Sequence, residues 1–416
     1  MATKKELKLL TELLGIEGMR VESQRQYEGI GIILQVEAIK KESKCHRCGT
    51  KSSSLHQNNR YIVKDLPWGE QQVHLEINRR QFKCKKCQKP FSEQLEFVKG
   101  RRTYTSRLAK KILAEALEGD IQSVARTGVM TTAEIERIIE DAAAELNGEK
   151  PTDLRKLGID EIAMVKGQGK YCAVLVDIER GKLLAIIESR KSEEIEKILK
   201  GWGTEVLERI EEVSIDLWKG YKSLAIEVMP NAQVVADRFH VTAQINSELD
   251  KLRKQEKRAI EAKLKSAKTL EQKNEYTRQL AVIKSSKYAL LKNEKELREE
   301  KEQEKLKQVR EEFANIRAAH LLKEKWREIM EKTTSWMRGL LKIRHWLVRA
   351  KQHLPNSCGT ISRWLTEIVA YFDERTTSGV VEGINNKIKL IKRTAYGFTN
   401  FNNFRNRCLL TWRFNY

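Results

Sequence analysis

The chain has 416 residues, with 79 lysines and arginines against 58 aspartates and glutamates, a formal charge of +21 and seven cysteines. No apolar run approaches the roughly 18–20 residues of a bilayer span, and MATKKELKLL lacks the apolar core and small-residue site of a secretory signal. A membrane protein and an exported protein are both disfavoured, a cytoplasmic location is expected, and a cationic excess of this size favours a polyanion, nucleic acid first.

Residues 1–40 open with a helical pattern, Lys4 to Leu14, and then alternate like strands in GMRVESQRQYE and GIILQVEAI. CHRCG follows, with Cys45 and Cys48. A strand-like stretch leads on to CKKC, with Cys84 and Cys87. Two CxxC knuckles supply four thiolates with a bite suited to tetrahedral zinc. Neither has the βα context that redox chemistry prefers. A closed structural Zn²⁺ site is therefore expected within an N-terminal zinc-binding domain, residues 1–100, with His46 and His56 as nearby substitute ligands.

From residue 104 the period becomes helical. TSRLAKKILAEALEG, DIQSVARTG and TTAEIERIIEDAAAEL read as three helices, the last capped by Thr131 or Thr132. Short links and the helix count suit a helix-turn-helix-like DNA-binding domain over 101–150. Arg101, Arg102, Arg107 and Lys110 form a cationic cluster suited to phosphates. The third helix is acidic (Glu134, Glu136, Glu140, Asp141), which favours packing on a neighbour over entry into a major groove.

NGEKPTDLRK, residues 147–156, reads as a linker. KLGIDEIAMVK, KYCAVLVDIER and GKLLAIIESR then read as strands joined by Gly-containing turns. SEEIEKILKGWG reads as a helix, EEVSIDLW as a strand, YKSLAIEVMP as a helix and AQVVADRFHV as a strand. That order is the order of an RNase H-like fold. Its first part is assigned to 151–245. An all-helical insertion follows over 246–372, where the β-pattern vanishes, and a C-terminal helical part of the same fold over 373–416. The expected class is an α+β multidomain chain: a zinc-ribbon-like element, a helix-turn-helix, then an RNase H-like α/β catalytic domain interrupted by helices.

Asp160 lies on one apolar strand and Asp216 ends another. Carboxylates there are costly unless paired or bound to metal. Asp177, in VLVDIER, reads instead as a turn residue. Glu382 heads VVEGINNKIKLIKRTAYGF, with Thr376, Thr377 and Ser378 as helix caps before it and Asn386, Lys389 and Arg393 on its own face; Lys392 adds a further cation. The acid reaches a metal while the basic face holds a phosphate backbone. Three carboxylates suffice for two Mg²⁺ (or Mn²⁺) ions about 3.5–4 Å apart.

GIDE, SIDLWKGY, PNAQVVADRFHV and VVEGINNKIKLIKRTAYGF, in that order, together with CHRCG and RRQFKCKKC, resemble the transposases of bacterial insertion sequences in the ISL-three family. The resemblance implies a DDE triad on an RNase H-like fold, carried over to Asp160, Asp216 and Glu382. Asp237 competes for the second position, but Asp237 and His240 match a trailing motif, which implies an auxiliary role, His240 either acting near the scissile phosphate or serving as a structural histidine beside Arg238. The resemblance further implies binding of terminal inverted repeats, strand cleavage and strand transfer. Double-stranded DNA, both transposon ends and target, is then the partner, in the nucleoid, held by a homodimer or larger assembly. The alternatives are a DNA-binding regulator without catalysis and a nuclease that cuts without joining. Trp326, Trp336, Trp346 and Trp364 of the insertion serve core packing or stack on a base.

Overall fold

The computed structural model describes residues 2–146, 150–164, 171–376, 379–395, 397–398 and 400–413. Three expected features lie outside these: the caps Thr377 and Ser378, the start of the linker, and the first glycine turn. The chain forms two compact units, one of residues 1–147 with 390–416, the other of residues 148–389.

In the first unit, α1 (Lys4–Leu14) begins with a capping box between Thr3 and Glu6 and stops at Gly15 in the left-handed region. β1 (Met19–Tyr27), β2 (Gly31–Ala38), the two short strands β3 (Ser43–Lys44) and β4 (Lys51–Ser52), β5 (Leu55–Trp68), β6 (Gln71–Lys83) and β7 (Pro90–Ser92) follow. The main sheet runs β1-β2-β6-β5 with β7 also on β6. Alternate residues Leu34, Val36, Val73, Leu75 and Ile77 are buried, the period of two expected when one face is covered. Three helices come next: α2 (Ser106–Glu118), α3 (Ile121–Arg126) and α4 (Thr132–Leu146). Thr105 caps α2, Asp120 caps α3, and Thr131 exchanges hydrogen bonds with Glu134 at the start of α4. Leu108, Ile112, Ile135, Ile138 and Ile139 make their common core.

In the second unit, β8 (Lys156–Ala163), β9 (Tyr171–Asp177) and β10 (Lys182–Ile187) are followed by α5 (Ser192–Trp202), α6 (Thr204–Glu208), β11 (Glu212–Ile215), α7 (Lys219–Val228) and β12 (Gln233–Ala236). The sheet order is β10-β9-β8-β11-β12. β9 runs antiparallel to both β8 and β10, and β11 runs parallel to both β8 and β12. Cys172 to Asp177 are all buried, the signature of a strand covered on both faces. Asp177 closes the β9 turn as expected, accepting hydrogen bonds from the backbone and guanidinium of Arg180.

AQVVADRFHV divides, contrary to the expectation of one strand. Asp237 accepts a hydrogen bond from the Phe239 backbone and caps α8 (Arg238–Ser266), so the helical segment begins before residue 246. α9 (Leu270–Ser285), α10 (Lys287–Leu291), α11 (Glu300–Glu312), α12 (Ala314–Lys332), α13 (Trp336–Ala350), α14 (Pro355–Arg363) and α15 (Leu365–Glu374) continue it, with no strand among the described residues. Trp326, Trp346 and Trp364 are buried in its core, the first two with rings 5.2 Å apart, whereas Trp336 is exposed.

α16 (Gly379–Thr394) carries the chain from the second unit into the first. α17 (Phe401–Arg413) then places Leu410 in the α2–α4 core, and buried Arg407 donates to the Gly119 carbonyl. The division between the compact units falls within the segment 373–416, after residue 389. The apolar face of α17 finds its partners on the helices after β7.

Candidate active site

β8 and β11 pair up to Ile159 and Ile215, and β11 and β12 up to Ile215 and Ala236. The next residue of each strand is an aspartate: Asp160, Asp216 and Asp237. Residues level on neighbouring parallel strands share a face, so the register alone puts three carboxylates in a row. Asp216 is beside Asp160, and Asp237 is one strand further away.

The Asp160 carboxylate accepts the backbone N–H of Glu161 at 2.7 Å through Oδ1, and the Asn385 amide through Oδ2. Asn385 belongs to α16, which comes this close because residue 158 is glycine: a Cβ there would approach Val381 Cγ2 to 2.9 Å. Across the row, His240 Nε2 is 2.7 Å from Asp216 Oδ1 and 3.7 Å from Asp237 Oδ2. The first turn of α8 makes this possible by setting His240 three residues beyond its cap.

These contacts reshape the charges. Burial, then the neighbouring charge of Asp216, pushes the Asp160 carboxyl up to about 6. Burial works against the His240 imidazolium, but the hydrogen bond and charge of Asp216, with Asp237 and Asp160 behind it, outweigh burial and raise it to about 9. Asp160, Asp216 and His240 each offer a ligand atom, all within 4.8 Å of one another. Glu382 is outside this group. It is exposed on α16, one turn before Asn385, on a neighbouring position of the helix surface. Asn385 is the contact that sequence reasoning passed over in favour of Asn386. Its signal was the i, i+3 spacing from Glu382.

The expected DNA-contacting cations fall into two sets. Arg101, Lys110, Lys389 and Arg393 are exposed, and Lys392 is half-buried. Arg102 and Arg107 are already engaged. Arg102 makes two hydrogen bonds to Asp141, at 2.7 and 2.6 Å. Arg107 is bound to the buried carboxylate of Asp65 and donates to the Leu14 carbonyl at 2.7 Å. A buried carboxylate needs such a partner, so these two arginines hold the first unit together. The acids of α4 likewise face neighbours: Glu134 pairs with Lys64, Asp141 with Arg102.

In the same unit the Sγ atoms of Cys45, Cys48, Cys84 and Cys87 also lie within 4.8 Å of one another. Each pair sits on a knuckle closed by a backbone bond, Gly49 N–H to Cys45 O at 2.8 Å and Gln88 N–H to Cys84 O at 2.9 Å. His46 and His56 are exposed and outside the cluster. Among these packed thiols, hydrogen bonding by Thr50 pulls Cys48 down to about 6, while hydrogen bonding to Cys48 and burial push Cys87 up to about 12.

Residues 157–408 match the model of the DDE transposases of the ISL3 (ISL-three) type, described as "Transposase". The chain belongs to this transposase family. Residues 41–87 match a second family, described as the zinc-finger of transposase IS204/IS1001/IS1096/IS1165. The chain is 27% identical over 401 residues to the transposase for insertion sequence element IS1001 of Bordetella parapertussis, covering 94% of each. It is 25% identical over 418 residues to the transposase for insertion sequence element IS1557 of Mycobacterium tuberculosis, covering 95% of this chain and 93% of that one. Membership of the ISL3 family makes this chain a DDE transposase, and the four-thiol cluster is the metal site of its zinc ribbon. No helix among the described residues is long and apolar enough to cross a membrane.

Proposed function

We propose that this transposase binds the terminal inverted repeats of an insertion sequence and cuts and joins DNA through Asp160, Asp216 and Glu382, on an RNase H-like fold. The observation that carries the reading is the pair of aspartates next to the paired stretch of β8 and β11, Asp160 within β8 and Asp216 just past β11, with ligand oxygens within 4.8 Å of one another. The strand order and directions fit that fold. The adjacency of β8 and β11 favours Asp216 over Asp237 as the second acid.

The residues fit a divalent cation. Asp160, desolvated by burial, faces the partly buried Asp216, and the buried Asn385 Oδ1 finds no hydrogen-bond donor among the described residues. Bound Mg²⁺ or Mn²⁺ supplies activation of a water or 3′-hydroxyl and stabilisation of the leaving oxygen. Asn385 holds Asp160 in orientation, and Glu382, one turn away, completes the oxygen set by turning its side chain. His240 is cationic at neutral pH, fixes Asp216 by hydrogen bonding and offers positive charge to a non-bridging phosphate oxygen. α2–α4 serve as the helix-turn-helix-like DNA reader, with Arg101, Lys110, Lys389, Lys392 and Arg393 as phosphate contacts. The chain divides in function into the zinc domain, this reader, and a catalytic domain carrying the helical insertion. Two transposon ends must be held together, so the working form is a homodimer or larger.

Cleavage and joining of labelled terminal-repeat DNA with Mg²⁺ tests this. Asp160→Ala, Asp216→Ala and Glu382→Ala should each lower both steps by roughly 100- to 1,000-fold, and Asp237→Asn by less. Full activity of Asp216→Ala with loss in Asp237→Asn would reassign the second acid. Wild type that binds but never cuts is a regulator, and one that cuts without joining is a nuclease.

A further inference from the structure

Adjacent strands of the second unit repeat one local arrangement. β11 and β12 are parallel, with Ile215 level with Ala236. Each strand is followed by an aspartate and, two residues later, by an aromatic: Asp216 then Trp218, Asp237 then Phe239. Trp218 caps α7 in extended backbone and Phe239 lies in the first turn of α8, so each ring stands where the chain leaves its strand for a helix. Both rings meet solvent, Trp218 at 38% and Phe239 at 55% exposure.

Neither ring is loose. The Trp218 indole lies against Gly220, where an added Cβ would come within 2.8 Å of it, and meets Tyr221 edge to face with centroids 4.5 Å apart at 88°. Phe239 stands at 85° to the His240 imidazole, 5.8 Å away, and its backbone N–H is held by Asp237. Each ring is packed against a neighbour and still partly exposed, two residues after an aspartate of the row. The C-terminal ends of parallel strands are where open α/β sheets receive ligands.

Flat apolar surfaces beside a phosphodiester-cutting site match one part of a nucleic acid, the face of a base, and every base has one. A base inside a duplex has both faces covered by its neighbours. Only a base lifted out of the stack, or in a single-stranded end, is able to stack on these rings. We propose that Trp218 and Phe239 form a stacking subsite for an unpaired nucleobase beside the phosphodiester that the transposase cuts. The inference rests on the reading of Asp160 and Asp216 as the cutting site.

The test compares two DNA probes with the full chain: a fully paired duplex, and the same duplex with a single-stranded 3′ extension containing 5-iodouracil. Phe239→Ala removes an exposed ring and Trp218→Leu keeps an apolar filler over Gly220, with melting curves confirming the fold of each. Each variant should weaken binding of the extended probe roughly tenfold and leave the paired probe unchanged, and Phe239→Trp should restore it. Irradiation of the wild-type complex should cross-link the extension to Trp218 or Phe239. Equal loss on both probes, no loss, or cross-links confined to other residues would overturn the stacking subsite alone. Wild type that binds neither probe would overturn the DNA reading itself.

Discussion

His320 sits fully buried in α12 with Nδ1 2.8 Å from Arg310 Nη2. A guanidinium only donates, so Nδ1 accepts and the ring proton sits on Nε2, which has Glu324 Oε1 at 4.0 Å. Burial, then the charges of Lys323 and Arg310, push the imidazole down to about 2 from its ordinary 6.5. Between those values the unfolded chain holds a proton that the folded chain refuses. Stability therefore rises with pH across this window and falls on acidification below 6.5, by roughly 1.4 kcal/mol per pH unit. Urea midpoints at pH 7, 6 and 5 should show that fall in wild type and a smaller one in His320→Gln, whose side chain still accepts from Arg310. Identical pH dependence in the two proteins would mean that His320 is not the group refusing the proton.

At the level of elements, the helical insertion is closed by one carboxylate rather than by a local cap. α14 begins at Pro355 with no side-chain cap of its own. Glu248 of α8, buried and over a hundred positions away in sequence, accepts hydrogen bonds there from Asn356 N at 2.8 Å, Asn356 Nδ2 at 2.9 Å, Ser357 N at 2.7 Å and Ser357 Oγ at 2.5 Å. It satisfies the orphan donors of the first turn and places negative charge at the positive end of the helix. Glu248→Ala should cost about 3 kcal/mol by leaving those donors buried and unmet, and Glu248→Gln less, as measured by denaturant unfolding of the whole chain. No spacing rule in the sequence links Glu248 to Pro355. The strands β8 to β12 were legible because apolar runs bounded by turns have a local signature, and so were both CxxC knuckles and the positions of Asp160 on one such strand and Asp216 at the end of another. The start of α8 was not: AQVVADRFHV is apolar enough to continue as a strand, and only the Asp237 cap decides otherwise. Glu382 was legible as an acid heading a basic helix, but its distance from Asp160 depends on how α16 docks at Gly158, which no local pattern encodes.

For the molecule as a whole, a charge of +21 says that polyanions are attracted but not where they are held. The structure separates cations that are spent internally from those left outward. Arg102 and Arg107 are spent on Asp141 and Asp65, the latter with a fully buried side chain. Lys389 and Arg393 are exposed at i, i+4 spacing on α16. Counterion release distinguishes the two sets, because each phosphate contact on duplex DNA contributes about 0.9 to the slope of log affinity against log salt. Lys389→Gln with Arg393→Gln should reduce the magnitude of that slope by nearly two while leaving the melting temperature in place. Arg107→Gln should do the reverse: an unpaired buried Asp65 costs roughly 3–5 kcal/mol of stability, and at a temperature where the variant is still folded the slope is unchanged. A slope that falls for Arg107→Gln in folded protein would return that arginine to the DNA interface and mean that its bond to Asp65 opens when DNA binds.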